Sequence, residues 1–152
     1  MNEQAEETVG GDSFVALRGV LEAGYRLVGQ LDSELSRHHS IGYADFELLL
    51  ELSVAPDRSM RLSDLAELAL LSKSALSRRI DSLVRLGWVK REGCPTDKRG
   101  TYAVLTDSGM EKVAESISTH NDVLRQILSN RISCDELTSL IGLLDRLSAP
   151  AE

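Results

Sequence analysis

The stretch Leu62–Gly109, LSDLAELALLSKSALSRRIDSLVRLGWVKREGCPTDKRGTYAVLTDSG, decides how the rest of the chain is read. Its pattern gives a helix, a tight turn, a second helix with Lys73, Ser74, Ser77, Arg78 and Arg79 at its front, and a short hairpin. The hairpin tip is Cys94-Pro95-Thr96-Asp97-Lys98-Arg99-Gly100, and Thr106 stands where it can cap the next helix. A helix carrying small polar and basic residues fits a DNA major groove. A basic hairpin beside it reaches the phosphate backbone or the minor groove.

The charge distribution supports this expectation, although the total does not. The chain of 152 residues has a formal net charge of −7. From Arg58 to Thr101, ten Lys/Arg face five Asp/Glu, so this segment is +5 and the remainder −12. A basic block in an acidic frame is an electrostatic footprint for a polyanion. Hydrophobic residues at 42% and charged residues at 27% are ordinary for a globular domain with a proper core. No apolar run approaches the roughly 20 residues that span a bilayer, and the acidic N-terminus lacks the apolar core of a secretory signal. A cytoplasmic protein without membrane contact is therefore expected. Cys94 and Cys134 form no metal-type pair.

Outward from the decisive stretch, the pattern is helical. Met1–Asp12 reads as a disordered acidic tail. Phe14, Leu17, Leu21, Val28, Leu31 and Leu35 recur at helical spacing, to an end near Arg37-His38-His39. Tyr43, Phe46, Leu49 and Leu50 mark a second helix, stopped at Ala55-Pro56. Met60-Arg61-Leu62 reads as a small strand, with Ser63 or Asp64 capping the helix after it and Ser72 capping the next. Gly87 suits a left-handed helix end, and Trp88–Glu92 and Thr101–Leu105 have strand composition. A long helix follows Thr106, and Ser133-x-x-Glu136 is a capping box that opens a last one. The expected class is mostly α with a small β-wing (α+β): a winged helix-turn-helix between N- and C-terminal helices. The boundaries are 1–12 for the tail, 13–57 for N-terminal helices serving dimerisation and a pocket, 58–106 for the DNA-binding domain, and 107–148 for the C-terminal dimerisation helices. The terminal helices carry more apolar residues than one thin layer needs, which predicts a two-fold homodimer.

These residues resemble the MarR family of bacterial transcriptional regulators. Leu65-Ala66-Glu67, Ser72-Lys73-Ser74-Ala75-Leu76-Ser77 and Leu83-x-x-x-Gly87-Trp88-Val89-x-Arg91 match its helix-turn-helix and first wing strand. Asp97-Lys98-Arg99-Gly100 matches its wing signature, and Leu105-Thr106-Asp107-Ser108-Gly109 its strand-to-helix junction. The resemblance covers about Phe14 to Leu147. It implies a homodimer on a palindromic operator, often a repressor, often released by a small molecule or by oxidation. One departure is Leu70, in a turn where glycine is common, which predicts a slightly different turn.

Helical phase assigns candidate roles. With Leu76, Ile80 and Leu83 inward, Ser74, Arg78, Asp81 and Arg85 lie opposite and Ser77 on the flank. Arg78 is the best base reader, since its planar fork suits guanine O6 and N7. Ser74 and Ser77 suit bases or phosphates, and Lys73 a phosphate, while Arg79 and Arg85 complete the basic helix. Asp81 stands one turn from Arg78 and Arg85 and can orient either. Lys98 and Arg99 are the wing contacts, Arg99 for a narrow minor groove. Asp97 braces the wing or is an ordinary turn aspartate. Tyr25, His38, His39 and Tyr43 are candidate lining residues for a small aromatic ligand, with core or surface roles as the plain alternative. No cofactor is implied. His38, His39 and His120 lack ligand spacing, so no metal site is assigned. Alternatives are a redox-responsive regulator through Cys94, near Lys90, Arg91 and Lys98, a metal-responsive regulator through the histidines, and a winged helix that contacts protein. No nucleophile elbow, phosphate loop or metal triad suggests an enzyme.

Overall fold

The computed structural model describes residues 3–93 and 100–149, with side chains from residue 11 onward. The elements, in chain order, are α1 (Glu3–His39), α2 (Tyr43–Val54), β1 (Ser59–Arg61), α3 (Leu62–Leu68), α4 (Lys73–Arg85), β2 (Val89–Gly93), β3 (Thr101–Leu105), α5 (Asp107–Ser129) and α6 (Cys134–Ser148). They form two compact units, one of Met1–Leu31 with Asn121–Glu152 and one of Asp32–His120. The fold is mostly helical with one small antiparallel sheet, as expected.

The Asp32–His120 unit holds the core. Phe46, Leu48, Leu49 and Leu52 of α2 meet Leu65 and Ala66 of α3, Leu76, Ile80 and Leu83 of α4, Val89, Ala103 and Leu105 of the sheet, and Val113 of α5. Each leucine, isoleucine, valine or phenylalanine among them is worth about 1.5–3 kcal/mol when withdrawn from water. The sheet order is β1-β3-β2, with Arg61 opposite Tyr102 and Val89 opposite Leu105. The β2–β3 hairpin is the wing. Its tip, including Cys94, Asp97, Lys98 and Arg99, lies outside the described residues.

Local chemistry sets the element ends. The Ser72 hydroxyl accepts from the Ala75 amide at 3.2 Å, so Ser72 caps α4 as expected. Gly87 takes φ 76°, the left-handed value that ends α4. Thr106 accepts from the Gly109 amide at 3.0 Å and donates its hydroxyl to the Gly87 carbonyl at 2.7 Å, tying the start of α5 to the end of α4. A Cβ on Gly109 would stand 2.2 Å from the Trp88 carbonyl oxygen, so only glycine permits this approach. Asp32 accepts from the Tyr43 amide at 2.8 Å and supplies α2 with the cap that Gly42 cannot.

The terminal unit is different. Ser133 and Glu136 form the expected capping box on α6, yet little of this unit's apolar surface is covered. Phe14, Leu17, Leu21 and Tyr25 on α1 are exposed, as are Ile141, Leu143, Leu144 and Leu147 on α6.

Four expectations are corrected. Helix α1 begins at Glu3, inside the stretch read as a tail; Glu, Gln and Ala are strong helix formers and acidic residues favour a helix N-terminus. Helix α3 begins at Leu62 without a side-chain cap, because the N-cap position falls on Arg61, whose side chain has no acceptor; the Ser63 hydroxyl donates to Asp64 at 2.9 Å. Strand β2 starts one residue later than expected, at Val89. The turn after α3 keeps a left-handed residue although no glycine is present: Leu70 itself adopts φ 53° and is 92% exposed. Its amide and that of Leu71 donate to the carbonyls of Glu67 at 3.1 Å and Ala66 at 2.9 Å, which holds it there.

A Cβ in this conformation costs about 1–2 kcal/mol, and Leu70 buries nothing in return. Leu70→Gly should stabilise the protein by about 0.5–1 kcal/mol after the extra chain entropy of glycine is counted, while Leu70→Ala, which keeps the Cβ, should gain little. Urea unfolding of the three proteins checks this; equal midpoints would mean the turn carries no strain.

Candidate nucleic-acid interface

Helix α4 presents the expected face. With Leu76, Ile80 and Leu83 buried, Lys73, Ser74, Arg78, Asp81 and Arg85 are exposed and Ser77 is half-buried. Lys73 and Arg78 have no hydrogen-bond or ion-pair partner among the described residues. Ser74 shares a 3.2 Å hydroxyl contact with Ser72 at the helix start, where free amides add a positive end. Arg85 donates to the Ser82 hydroxyl at 2.7 Å.

Arg79 departs from the expectation. Its Nη1 lies 2.8 Å from Asp45 Oδ1, across from α4 to the first turn of α2. Its guanidinium is therefore paired with a carboxylate, although the side chain stays 40% exposed. Asp81 also departs: it orients neither Arg78 nor Arg85. It accepts from Arg91 of β2 at 2.8 Å, and Arg91 donates further to the Ser77 hydroxyl at 3.0 Å and the Ser77 carbonyl at 3.2 Å. One guanidinium thus joins the wing to the middle of α4. Two ion pairs, from α2 and from β2, flank the helix and hold its roll about its own axis.

Arg61 is a further basic residue that the sequence did not single out. Its Nε donates to the Tyr102 hydroxyl at 3.1 Å across the β1–β3 pair. Arg61, Lys73, Ser77, Gly100 and Thr101 line an open pocket of about 330 Å³ between the wing and the front of α4. The signal for Arg61 was only its place in the basic block, whereas nothing along the chain pairs Asp45 with Arg79.

The candidate ligand residues fall in both units, Tyr25 in the terminal one and His38, His39 and Tyr43 in the other. Tyr25, which is 84% exposed, lines a groove of about 540 Å³ in the terminal unit with Arg26, Ile127, Leu128, Arg131 and Leu140; His38, His39 and Tyr43 are not part of it. His38 approaches Glu34 at 3.4 Å, and Arg37, with a smaller part from His38, holds that carboxyl below the usual range. His39 Nε2 lies 2.7 Å from the Thr119 hydroxyl. Tyr43 donates to Glu47 at 3.1 Å and stacks on His120; burial, then Glu47, pushes its phenol up to about 12, so it stays a neutral donor. Among the described residues, no three His, Cys, Asp or Glu side chains gather to hold a metal ion, and no helix is long and apolar enough to cross a membrane.

The arrangement is a winged helix-turn-helix with an open cationic helix. The sequence profile of the MarR family matches residues 39–100. A MarR family transcriptional regulator from Streptomyces coelicolor, solved in complex with DNA, superposes with a TM-score of 0.84 at 33% identity, covering 91% of this chain and 86% of that one. The HTH-type transcriptional regulator YdgJ of Bacillus subtilis is 32% identical over 107 residues, 70% of this chain and 63% of that protein. The multiple antibiotic resistance protein MarR of Escherichia coli is 36% identical over 73 residues, 48% of this chain and 51% of that protein. The chain thus spans 51% to 63% of the length of these two curated relatives. It belongs to the MarR family.

The Arg91–Asp81 pair is 31% and 54% exposed, so solvent screens it. A double-mutant cycle with Arg91→Ala and Asp81→Ala should give a coupling of about 0.2–1 kcal/mol in urea unfolding. A coupling of zero would mean the wing and α4 are held by packing alone.

Proposed function

We propose that this chain is a sequence-specific DNA-binding transcriptional regulator that acts as a homodimer on an inverted-repeat operator, most simply as a repressor in the cytoplasm. The observation that carries the reading is the open face of α4, where Lys73 and Arg78 project without partners among the described residues. Arg78 is the base reader in this reading, and Lys73, with Arg61 beside it, meets phosphate. Ser74 and Ser77 sit between the two, and Lys98, Arg99 and Asp97 keep the wing roles inferred from the sequence. The DNA complex of the Streptomyces relative supports the choice of duplex DNA.

The dimer reading is supported by the uncovered apolar residues of α1 and α6, among them Phe14, Leu17, Leu21 and Leu147. Such surface on a soluble domain calls for a partner. Release by a small aromatic ligand belongs to the same reading. The groove beside Tyr25, of about 540 Å³, has the volume of a small-molecule site. Such a ligand weakens DNA binding only through its differential affinity for the two states.

Light scattering should show twice the chain mass at micromolar concentration; a monomer that binds DNA tightly would sink the dimer. Footprinting should find half-sites about 10 base pairs apart, bound at least ~10³ more tightly than random duplex. Arg78→Ala should cost about 1–3 kcal/mol on the operator and relax one base pair per half-site, whereas Lys73→Ala should weaken all duplexes alike and lower the salt slope by roughly one per protomer. Equal losses on both DNAs for Arg78→Ala would reduce it to a phosphate contact.

A further inference from the structure

We propose that Asp45 limits the sequence-blind affinity of this protein for duplex DNA by holding Arg79 out of reach of phosphate. The inference rests on the DNA-binding reading above and concerns a residue of α2, outside the helix-turn-helix itself. Arg79 follows the open Arg78 directly in sequence, and a second free guanidinium there would find a phosphate on almost any duplex. The structure places the Asp45 carboxylate 2.8 Å from Arg79 Nη1, with the two side chains 29% and 40% exposed. Asp45, Arg78, Arg79 and Ser82 line one depression of about 340 Å³, so the carboxylate stands at the edge of the same surface that Arg78 offers.

Asp45 cannot follow Arg79 outward. It lies in the first turn of α2, its amide donates to the Gly42 carbonyl at 3.1 Å, and its neighbours Phe46, Leu48 and Leu49 are fully buried. For Arg79 to reach a phosphate, the pair must break and leave a carboxylate facing the DNA backbone. Phosphate contacts carry no sequence information, whereas base contacts do. Suppressing one sequence-blind cation per protomer therefore lowers affinity for every duplex alike and leaves the ratio between operator and random DNA unchanged.

The test uses the full chain, the operator duplex mapped by footprinting and a random duplex of equal length, each titrated with salt. Asp45→Asn frees Arg79. It should steepen the salt slope by about 0.9 per protomer and raise affinity near 0.1 M salt by about tenfold per protomer, on operator and random duplex alike. Arg79→Met should leave the slope as it is in the unaltered protein, and Asp45→Asn combined with Arg79→Met should restore it. A merely structural role for the pair would lower thermal stability without steepening the slope. An unchanged slope in a folded Asp45→Asn protein overturns the proposal. So does a slope lowered by Arg79→Met, which also decides the matter if Asp45→Asn does not fold. If the unaltered protein shows no operator preference, the DNA-binding reading falls and this inference with it; a clear preference with unresponsive variants sinks this inference alone.

Discussion

Burial of one face of α4 governs the rest of the Asp32–His120 unit. Leu76, Ile80 and Leu83 are withdrawn from water against α2, α3 and the sheet. A rotation of the helix by one residue would expose a leucine and bury a charge, each costing on the order of 2 kcal/mol or more. That penalty fixes which residues point outward. Lys73, Ser74, Arg78 and Arg85 are presented because their neighbours at helical spacing are committed to the core. The outward face is thus a by-product of packing, and its chemistry was free to become cationic.

Packing alone leaves small motions of a helix open, and the charged neighbours restrict them. Arg79 ties α4 to α2 and Arg91 ties it to the wing. Both pairs are partly exposed, so neither adds much stability. Their effect is on geometry and on field. They hold the helix at two points, and each guanidinium already faces a carboxylate. The formal charge of the segment therefore overstates what its surface offers.

The two units stand in contrast. The Asp32–His120 unit closes its own core and caps its helices with Asp32, Ser72 and Thr106. The terminal unit has a well-capped α6 but leaves leucines and a phenylalanine in water. A helix pair that keeps this much apolar surface uncovered fits one half of an interface. The proposed homodimer follows from that imbalance, and the groove beside Tyr25 lies in the same unit.

Much of this was legible along the chain, because it is written in local chemistry. The element order, the caps at Ser72, Thr106 and Ser133, the left-handed Gly87 and the inward phase of α4 each depend on residues within a few positions of one another. Local rules did less well where tertiary forces compete with them. Leu70 takes a glycine's conformation because the backbone bonds around it outweigh the strain of its Cβ. The partners of Arg79 and Asp81 were not legible, since Asp45 is 34 residues from Arg79 and Arg91 ten from Asp81. Only the packing of α2 and β2 against α4 brings those charges together. The chain alone therefore determined which face of the helix is open and cationic, through periodicity; the tertiary structure decided which cations on it remain free, because ion pairing depends on distance in space.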